Sequence, residues 1–196
     1  MEPHAHRWSL PGGRLRPDED VEASIKRQLA EKVDVRQLSH VEQLAVFSAP
    51  DRVPGPRVVA SAFLGLVPAD NDPAVPGDTA WHPVDSLPPT AFDHESIVRR
   101  ARDRLRSKLS YTNIGFALAP PAFTISALRE LYSAALGYRV SATNLQRVLA
   151  RRELLEPTGE TAPPGKAGGR PAALFSFARR SMAVTDPFAV LRPPNR

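Results

Sequence analysis

The chain of 196 residues contains no cysteine, which excludes a disulfide framework and any thiolate metal site. No apolar run approaches the roughly 18 residues that a membrane-spanning helix needs, so we expect no transmembrane segment. The first residues lack a basic stretch followed by an apolar one, so we expect no signal peptide. The five histidines have no ligand spacing, so we assign no metal, no cofactor and no catalytic triad. These absences favour a cytoplasmic protein.

The residues that are present suit a packed core, since 42% are hydrophobic and 24% are charged. The net charge of +5 is unevenly distributed, because the first 90 residues are net acidic and the last 76 are net basic. A basic half suggests a polyanionic partner such as nucleic acid. We predict a first domain at 1–110, a linker at 111–122, a second domain at 123–180 and a flexible tail at 181–196.

A glycine loop and the helix after it organise the first domain. Gly12 and Gly13 give the loop its backbone freedom, and acidic residues follow where a helix begins. Apolar residues then recur every four positions, which predicts a helix over 21–35 with one apolar stripe facing inward: Val21, Ile25, Leu29 and Val33. The opposite, polar face is expected to carry Arg27, Gln28, Glu31 and Lys32.

The spacing of this stretch resembles the Nudix box, which binds divalent metal and diphosphate in Nudix hydrolases. The positions that match the family pattern are Gly13, Glu19, Arg27, Leu29, Glu31 and Val35. Three positions depart from it. Gln28 and Lys32 stand where the family has metal-ligating glutamates, and Asp34 replaces the last glycine.

These departures bear on the chemistry. Positions 28 and 32 share one helix face, and an amide with an ammonium is a poor substitute for the carboxylates that Mg²⁺ prefers. Without metal, attack of water on a diphosphate loses its charge stabilisation. The resemblance therefore implies a Nudix-like α/β/α domain that has lost hydrolysis. An ordinary amphipathic surface helix is the alternative.

The rest of the first domain is predicted to hold strands at 41–47, 57–67 and 79–84 and a helix at 93–109. The near-continuous apolar run of 57–67 is typical of a central strand buried on both faces. The helix at 93–109 carries a basic face that is either solvated or placed against phosphate. Few residues precede Gly13, so we expect an N-terminally shortened domain with unpaired strand backbone. A dimer, a domain partner or instability is the expected consequence.

The second domain has the outline of a winged helix: helix, turn, helix, strand, loop, strand. We predict Thr124 as the N-cap and Gly137 as the C-cap of the first helix, and Ser141 as the cap of a second helix at 142–152. Asn, Gln and Arg side chains read base edges in a major groove. The expected DNA contacts are Thr143, Asn144, Gln146, Arg147 and Arg151, with Lys166 and Arg170 in the wing. A small helical dimerisation unit is the alternative.

Taken together, these motifs resemble the Nudix-related transcriptional regulators of the NrtR family. The resemblance covers Trp8 to about Phe177, including Leu154-Leu155-Glu156-Pro157-Thr158-Gly159. In that family the helix motif is usually Asn-Phe-Arg-Arg, so Asn144 and Arg147 carry over. The fold class is then α+β, a Nudix-like domain followed by a winged helix.

What the resemblance implies for function is a repressor of NAD or related metabolism. It would bind a double-stranded DNA operator as a homodimer and respond to ADP-ribose or a related nucleotide. The residues placed at the effector are Arg14, Arg27, Glu31 and Lys32. Two alternatives stay open: a Nudix hydrolase with a weakened metal site, and a truncated product that folds poorly.

Overall fold

The computed structural model describes residues 7–163 and 171–186. The helices are α1 (Val21–Val33), α2 (His94–Tyr111), α3 (Ile125–Leu136) and α4 (Ala142–Arg151). The strands are β1 (His40–Phe47), β2 (Ala60–Leu66), β3 (Leu155–Ala162) and β4 (Ala172–Phe177), and short 3-10 helices span Val84–Ser86 and Ile114–Ala117. None of the helices in the described ranges is long and apolar enough to cross a bilayer.

The chain divides into two compact units. Unit 1 comprises Met1–Gly65 and Asp72–Arg104, and unit 2 comprises Leu66–Asn71 and Leu105–Arg196. The boundaries that we predicted for domains, linker and tail stay a prediction. Each unit has its own buried core.

Helix α1 begins after Asp20, whose carboxylate caps it by accepting the Ala23 N–H at 2.7 Å. It ends at Val33, because Asp34 turns the backbone into the left-handed region with φ at 53°. The predicted inward apolar stripe is wrong. The buried residues of α1 are Ser24 and Gln28, and Val21 is 41% exposed.

Strands β1 and β2 form a two-stranded sheet in unit 1. Leu44, Leu64 and Leu66 are buried from these strands. However, β2 begins at Ala60, and Val58 and Val59 before it are exposed. The prediction of a central strand buried on both faces is therefore wrong for this part of the chain.

The strand predicted at 79–84 is also wrong. A 3-10 helix occupies Val84–Ser86 instead, after Pro83, and Trp81 is 63% exposed. Three prolines within 73–83 deny this stretch the N–H donors that a ladder requires. A single parallel bridge joins Trp8 to Thr90, where Trp8 N donates to the Pro89 carbonyl at 3.0 Å.

The cations of α2 are mostly engaged within the chain. In unit 1, Arg99 pairs with Glu95 and Arg102 with Asp85, and Arg104 reaches Glu42 at 3.3 Å. In unit 2, Arg106 Nε donates to the Ala135 carbonyl at 3.3 Å, and Lys108 Nζ reaches the Met182 sulfur. This pairing favours an intramolecular role for the basic face over a phosphate-binding one.

Unit 2 follows the predicted helix limits closely. The Thr124 hydroxyl accepts the Ala127 N–H at 3.1 Å, and Gly137 ends α3 with φ at 75°. Ser141 caps α4. Antiparallel β3 and β4 pair Leu155 with Phe177, with a register shift between Pro157 and Thr161. The core of this unit is built from Phe123, Leu128, Leu145, Leu149 and Phe177.

Most of the expected linker, 111–122, is packed, and only its last two residues are exposed. The 3-10 helix Ile114–Ala117 is buried, and so is Asn113. The Asn113 amide donates to the Arg179 and Ser181 carbonyls at 3.2 and 2.9 Å and accepts the Ala183 N–H at 2.7 Å. Residues 179–186, which include part of the expected tail, are thereby fixed in place, whereas 187–196 lie outside the described residues.

Candidate nucleotide-binding and DNA-binding sites

A carboxylate–guanidinium pair holds the glycine loop of unit 1 against α1. Arg27 donates to both oxygens of Glu19, Nε to Oε2 at 2.8 Å and Nη2 to Oε1 at 2.6 Å. The side chains are only 18% and 11% exposed. Hydrogen bonds from Arg27, together with one from the Arg16 N–H, lower the pKa of Glu19 to about 2. Glu19, a match to the family pattern, was not among the predicted site residues.

The same arginine also engages the next carboxylate on α1. Arg27 Nη1 donates to Glu31 at 3.1 Å, and Arg16 lies 3.7 Å from the other oxygen of Glu31. Hydrogen bonds to Glu19 above all, and to Glu31, raise the pKa of Arg27. The guanidinium of Arg27 therefore forms charge-assisted hydrogen bonds with two carboxylates of its own chain, Glu19 in the loop and Glu31 on the helix.

Gln28 and Lys32, the two substituted positions, converge on one backbone oxygen. Lys32 Nζ donates to the Gly12 carbonyl. The buried amide of Gln28 fits with its nitrogen donating to that carbonyl at 3.2 Å and its oxygen accepting from Arg27 at 3.2 Å. A side chain at position 13 would collide with the Gln28 amide, so glycine there permits this close approach.

This donor set does not fit the divalent cation that a Nudix-like fold implies. Lys32 places an ammonium at the Gly12 carbonyl, where it would repel a metal ion. The remaining carboxylates, Glu19 and Glu31, are occupied by Arg27. Across the described residues, no group of three histidine, aspartate or glutamate side chains is arranged to hold a metal.

The structure brings three of the four predicted effector residues together. Arg27, Glu31 and Lys32 all lie on the α1 face that meets the loop. Arg14 is exposed, and its backbone carbonyl accepts a long 3.5 Å contact from Arg27. Because Arg27 and Glu31 satisfy each other, Arg14 and Lys32 are the cations best placed to meet a bound anion. Their role in binding stays a prediction.

Helix α4 places the predicted base-reading residues outward. Leu145 and Leu149 are buried beneath the helix, and the predicted contacts on it are exposed: Thr143, Asn144, Gln146, Arg147 and Arg151. Arg147 Nη2 donates to the Asn144 Oδ1 at 2.9 Å, so these two side chains orient each other. The wing residues Lys166 and Arg170 lie outside the described residues.

Family models and relatives define the class of protein. A model described as the NUDIX domain matches residues 2–101, and one described as the NrtR DNA-binding winged helix domain matches residues 115–177. The chain is thus a Nudix domain followed by a winged helix, which confirms the predicted α+β fold class. It belongs to the NrtR family.

Two curated relatives carry the comparison further. The chain is 30% identical over 188 residues to the ADPR responsive transcriptional repressor NtrR of Acinetobacter baylyi, covering 90% of this chain and 72% of the relative. It is 31% identical over 98 residues to the ADP-ribose pyrophosphatase of Methanocaldococcus jannaschii. That match covers 47% of this chain and 55% of the relative.

Solved structures agree with this assignment. The NrtR of Shewanella oneidensis, complexed with a 27mer DNA, is 29% identical with a TM-score of 0.70, covering 87% of this chain and 80% of that one. A MutT/nudix family protein from Enterococcus faecalis has a TM-score of 0.72 at 24% identity, covering 91% of this chain and 78% of that one. The latter likeness concerns the fold alone.

Proposed function

We propose that this protein is a transcriptional repressor that binds operator DNA through α4 and responds to ADP-ribose bound in unit 1. The observation that carries the proposal is the outward face of α4. There Asn144 and Arg147 are hydrogen-bonded to each other, while Leu145 and Leu149 of the same helix are buried. That helix lies inside the region matched by the winged helix model. The Acinetobacter relative, a named ADPR-responsive repressor, supports the same assignment.

Unit 1 would hold the nucleotide without cleaving it. The loop of Gly12 and Gly13 is held by hydrogen bonds from Lys32 and Gln28 to the Gly12 carbonyl. Arg14 and Lys32 would face the diphosphate, and Arg27 with Glu31 would keep the loop in shape. Chemistry that depends on a metal-activated water would need a carboxylate cluster, and residues 7–163 and 171–186 contain none arranged to hold a metal.

A homodimer on a palindromic operator follows from the proposal, because each half-site needs its own reading helix. Genes of NAD or related metabolism are the expected targets. Because a repressor must reach chromosomal DNA, the proposal also implies a cytoplasmic location. Effector binding would act by changing the DNA affinity, which is a coupling free energy between two sites.

The test is a gel shift with the DNA upstream of the protein's own gene and its neighbours, with and without ADP-ribose or NAD. We expect a sequence-specific complex whose affinity changes when ADP-ribose is added. A folded protein that gives no specific shift under any of these conditions would overturn the repressor assignment.

A Nudix hydrolase is the second candidate, and the 98-residue similarity of the chain to a named ADP-ribose pyrophosphatase favours it. Incubation of the wild-type chain with ADP-ribose and Mg²⁺ separates the two. We expect no turnover by the wild type and a measurable gain in the Gln28→Glu/Lys32→Glu double variant. Brisk hydrolysis by the wild type would contradict the loss of catalysis.

A further inference from the structure

We propose that the turn between α3 and α4 contacts the DNA phosphate backbone through Tyr138 and Arg139. The inference rests on the proposed function, because it takes α4 to lie in a groove. Tyr138 is 64% exposed, the highest value among the large apolar and aromatic side chains of the described residues. Arg139 is exposed too, and within the described ranges neither side chain forms a hydrogen bond or an ion pair.

The backbone of this turn is held at both ends. Gly137 adopts a left-handed conformation and donates its N–H to the Ser133 carbonyl at 2.9 Å. The Ser133 hydroxyl accepts the Val140 N–H at 3.0 Å and itself donates to the Arg129 carbonyl at 2.7 Å. Tyr138 and Arg139 therefore project from a fixed segment of chain rather than from a loose loop.

Arg106 supports the same turn from α2. Its Nε donates to the Ala135 carbonyl at 3.3 Å, next to the end of α3. Its guanidinium also fills the space where a side chain at Gly137 would project. A segment fixed in this way loses little backbone freedom when it meets a ligand, so more of the contact energy remains as affinity.

The chemistry of the two side chains fits phosphate. A tyrosine hydroxyl and an arginine guanidinium are both donors that proteins use on phosphate oxygens. The turn leads directly into Ser141 and the first residues of α4. When a helix enters a groove, the chain beside its first turn lies near the flanking strand of the duplex.

Such contacts add affinity without reading sequence. This separates them from Asn144 and Arg147, whose side chains suit base edges. The turn would therefore strengthen binding to any duplex by a similar factor, and it would anchor the helix at one end while the base contacts choose the site.

Fluorescence anisotropy on the full chain tests this, with two labelled duplexes. One is selected on the wild-type protein from a random-sequence library, and the other is its scrambled counterpart. Arg139→Gln should weaken binding to both duplexes by the same factor, about tenfold. It should also make the plot of log affinity against log salt less steep by about 0.9, the value of one lost phosphate contact.

Tyr138→Phe removes only the hydroxyl, so it should weaken both duplexes about threefold and leave the salt slope unchanged. Arg36→Gln serves as the matched control, since it removes an exposed arginine that lies in unit 1. Melting temperatures confirm that each variant is folded.

Three outcomes separate the ideas. If Arg139→Gln and Tyr138→Phe bind both duplexes as the wild type does, the turn does not touch phosphate and the inference is overturned. If they weaken only the selected duplex, the turn reads bases and the inference is also overturned. If the wild type selects no sequence at all, the proposed function fails together with the inference.

Discussion

Helices α1 and α4 both carry the polar residues on which function is predicted to depend, yet they present them in opposite ways. Helix α4 buries Leu145 and Leu149 and turns its amide and guanidinium groups outward. Helix α1 buries Ser24 and Gln28 and turns polar groups toward a loop of its own chain. Helix α4 is arranged to meet a partner, whereas helix α1 is arranged to shape a loop.

The difference shows that an apolar stripe in the sequence does not by itself decide which face of a helix is buried. A helix that covers an apolar core buries its apolar stripe, as α4 does. A helix that supports a polar loop buries hydrogen-bonding groups instead, because the loop needs donors and acceptors more than apolar contact. In α1 the buried amide is that of Gln28, and Arg27 beside it pairs with Glu19 of the loop.

The largest effect, a loss of unfolding free energy, should come from the buried leucines of α4. Leu149→Ala leaves a cavity under the helix, since Leu149 is 2% exposed, and should cost about 2–5 kcal/mol of unfolding free energy. Leu29 is a half-buried residue of α1, so Leu29→Ala is the matched control and should lower the unfolding free energy by less. Urea unfolding of both variants measures this, and equal losses would break the contrast between the helices.

The next effect concerns the outward face of α4. Arg147→Ala should weaken binding to the selected duplex by about 1–3 kcal/mol while leaving the scrambled duplex far less affected. It also frees Asn144 from its partner at 2.9 Å. Anisotropy titrations of both duplexes measure the ratio. A uniform loss on both would mean that Arg147 binds phosphate rather than bases.

A smaller effect is expected at the glycine loop. Gly13→Ala forces the Gln28 amide away from the Gly12 carbonyl and Arg27 and should cost about 1–2 kcal/mol. Gly12→Ala is its control, since a side chain there meets nothing within 4 Å. Chemical denaturation compares the two, and identical stabilities would show that the close approach is unimportant.

The smallest effect should be the dependence on pH of the Glu19–Arg27 pair. The pKa of Glu19 is about 2 in the folded chain, below its ordinary value of 4.5. Its contribution to stability is therefore present above pH 4.5 and is lost as the pH falls through 2.

Glu19→Gln should lower the melting temperature at neutral pH, and the difference from the wild type should vanish near pH 2. Melting curves across that range measure it, with Asp18→Asn as an exposed control. A gap between variant and wild type that persists at pH 2 would contradict the assigned role of the pair.

The sequence predicted unit 2 better than unit 1, and the reason is physical. Local signals define the winged helix: Thr124 and Ser141 as N-caps and Gly137 as a C-cap all form as expected. In unit 1, apolar runs misled the prediction. Val58 and Val59 look like strand core but are exposed, because burial depends on which chain segments cover the sheet.

The candidate nucleotide site was only partly predictable. Spacing identified Arg27, Glu31 and Lys32 as neighbours on one helix, and the structure brings them together. It could not show that Glu19 takes both donors of the Arg27 fork or that the amide of Gln28 is buried. Those facts depend on the path of the loop back over the helix, which no local pattern encodes.

The packing of Asn113 has a consequence for the boundaries of the foldable unit. Asn113 donates to backbone carbonyls of the segment after β4, and Arg180 donates to the carbonyls of Phe116, in the 3-10 helix, and of Ala119, just after it. Arg152 adds an ion pair to Asp186 at 3.1 Å. A winged helix excised at Phe177 would lose these hydrogen bonds and this ion pair, so we expect that a fragment that folds on its own must extend at least through Asp186. Among the described residues, the strands of this sheet end at Phe177, whereas the contacts that hold the unit together continue to Asp186.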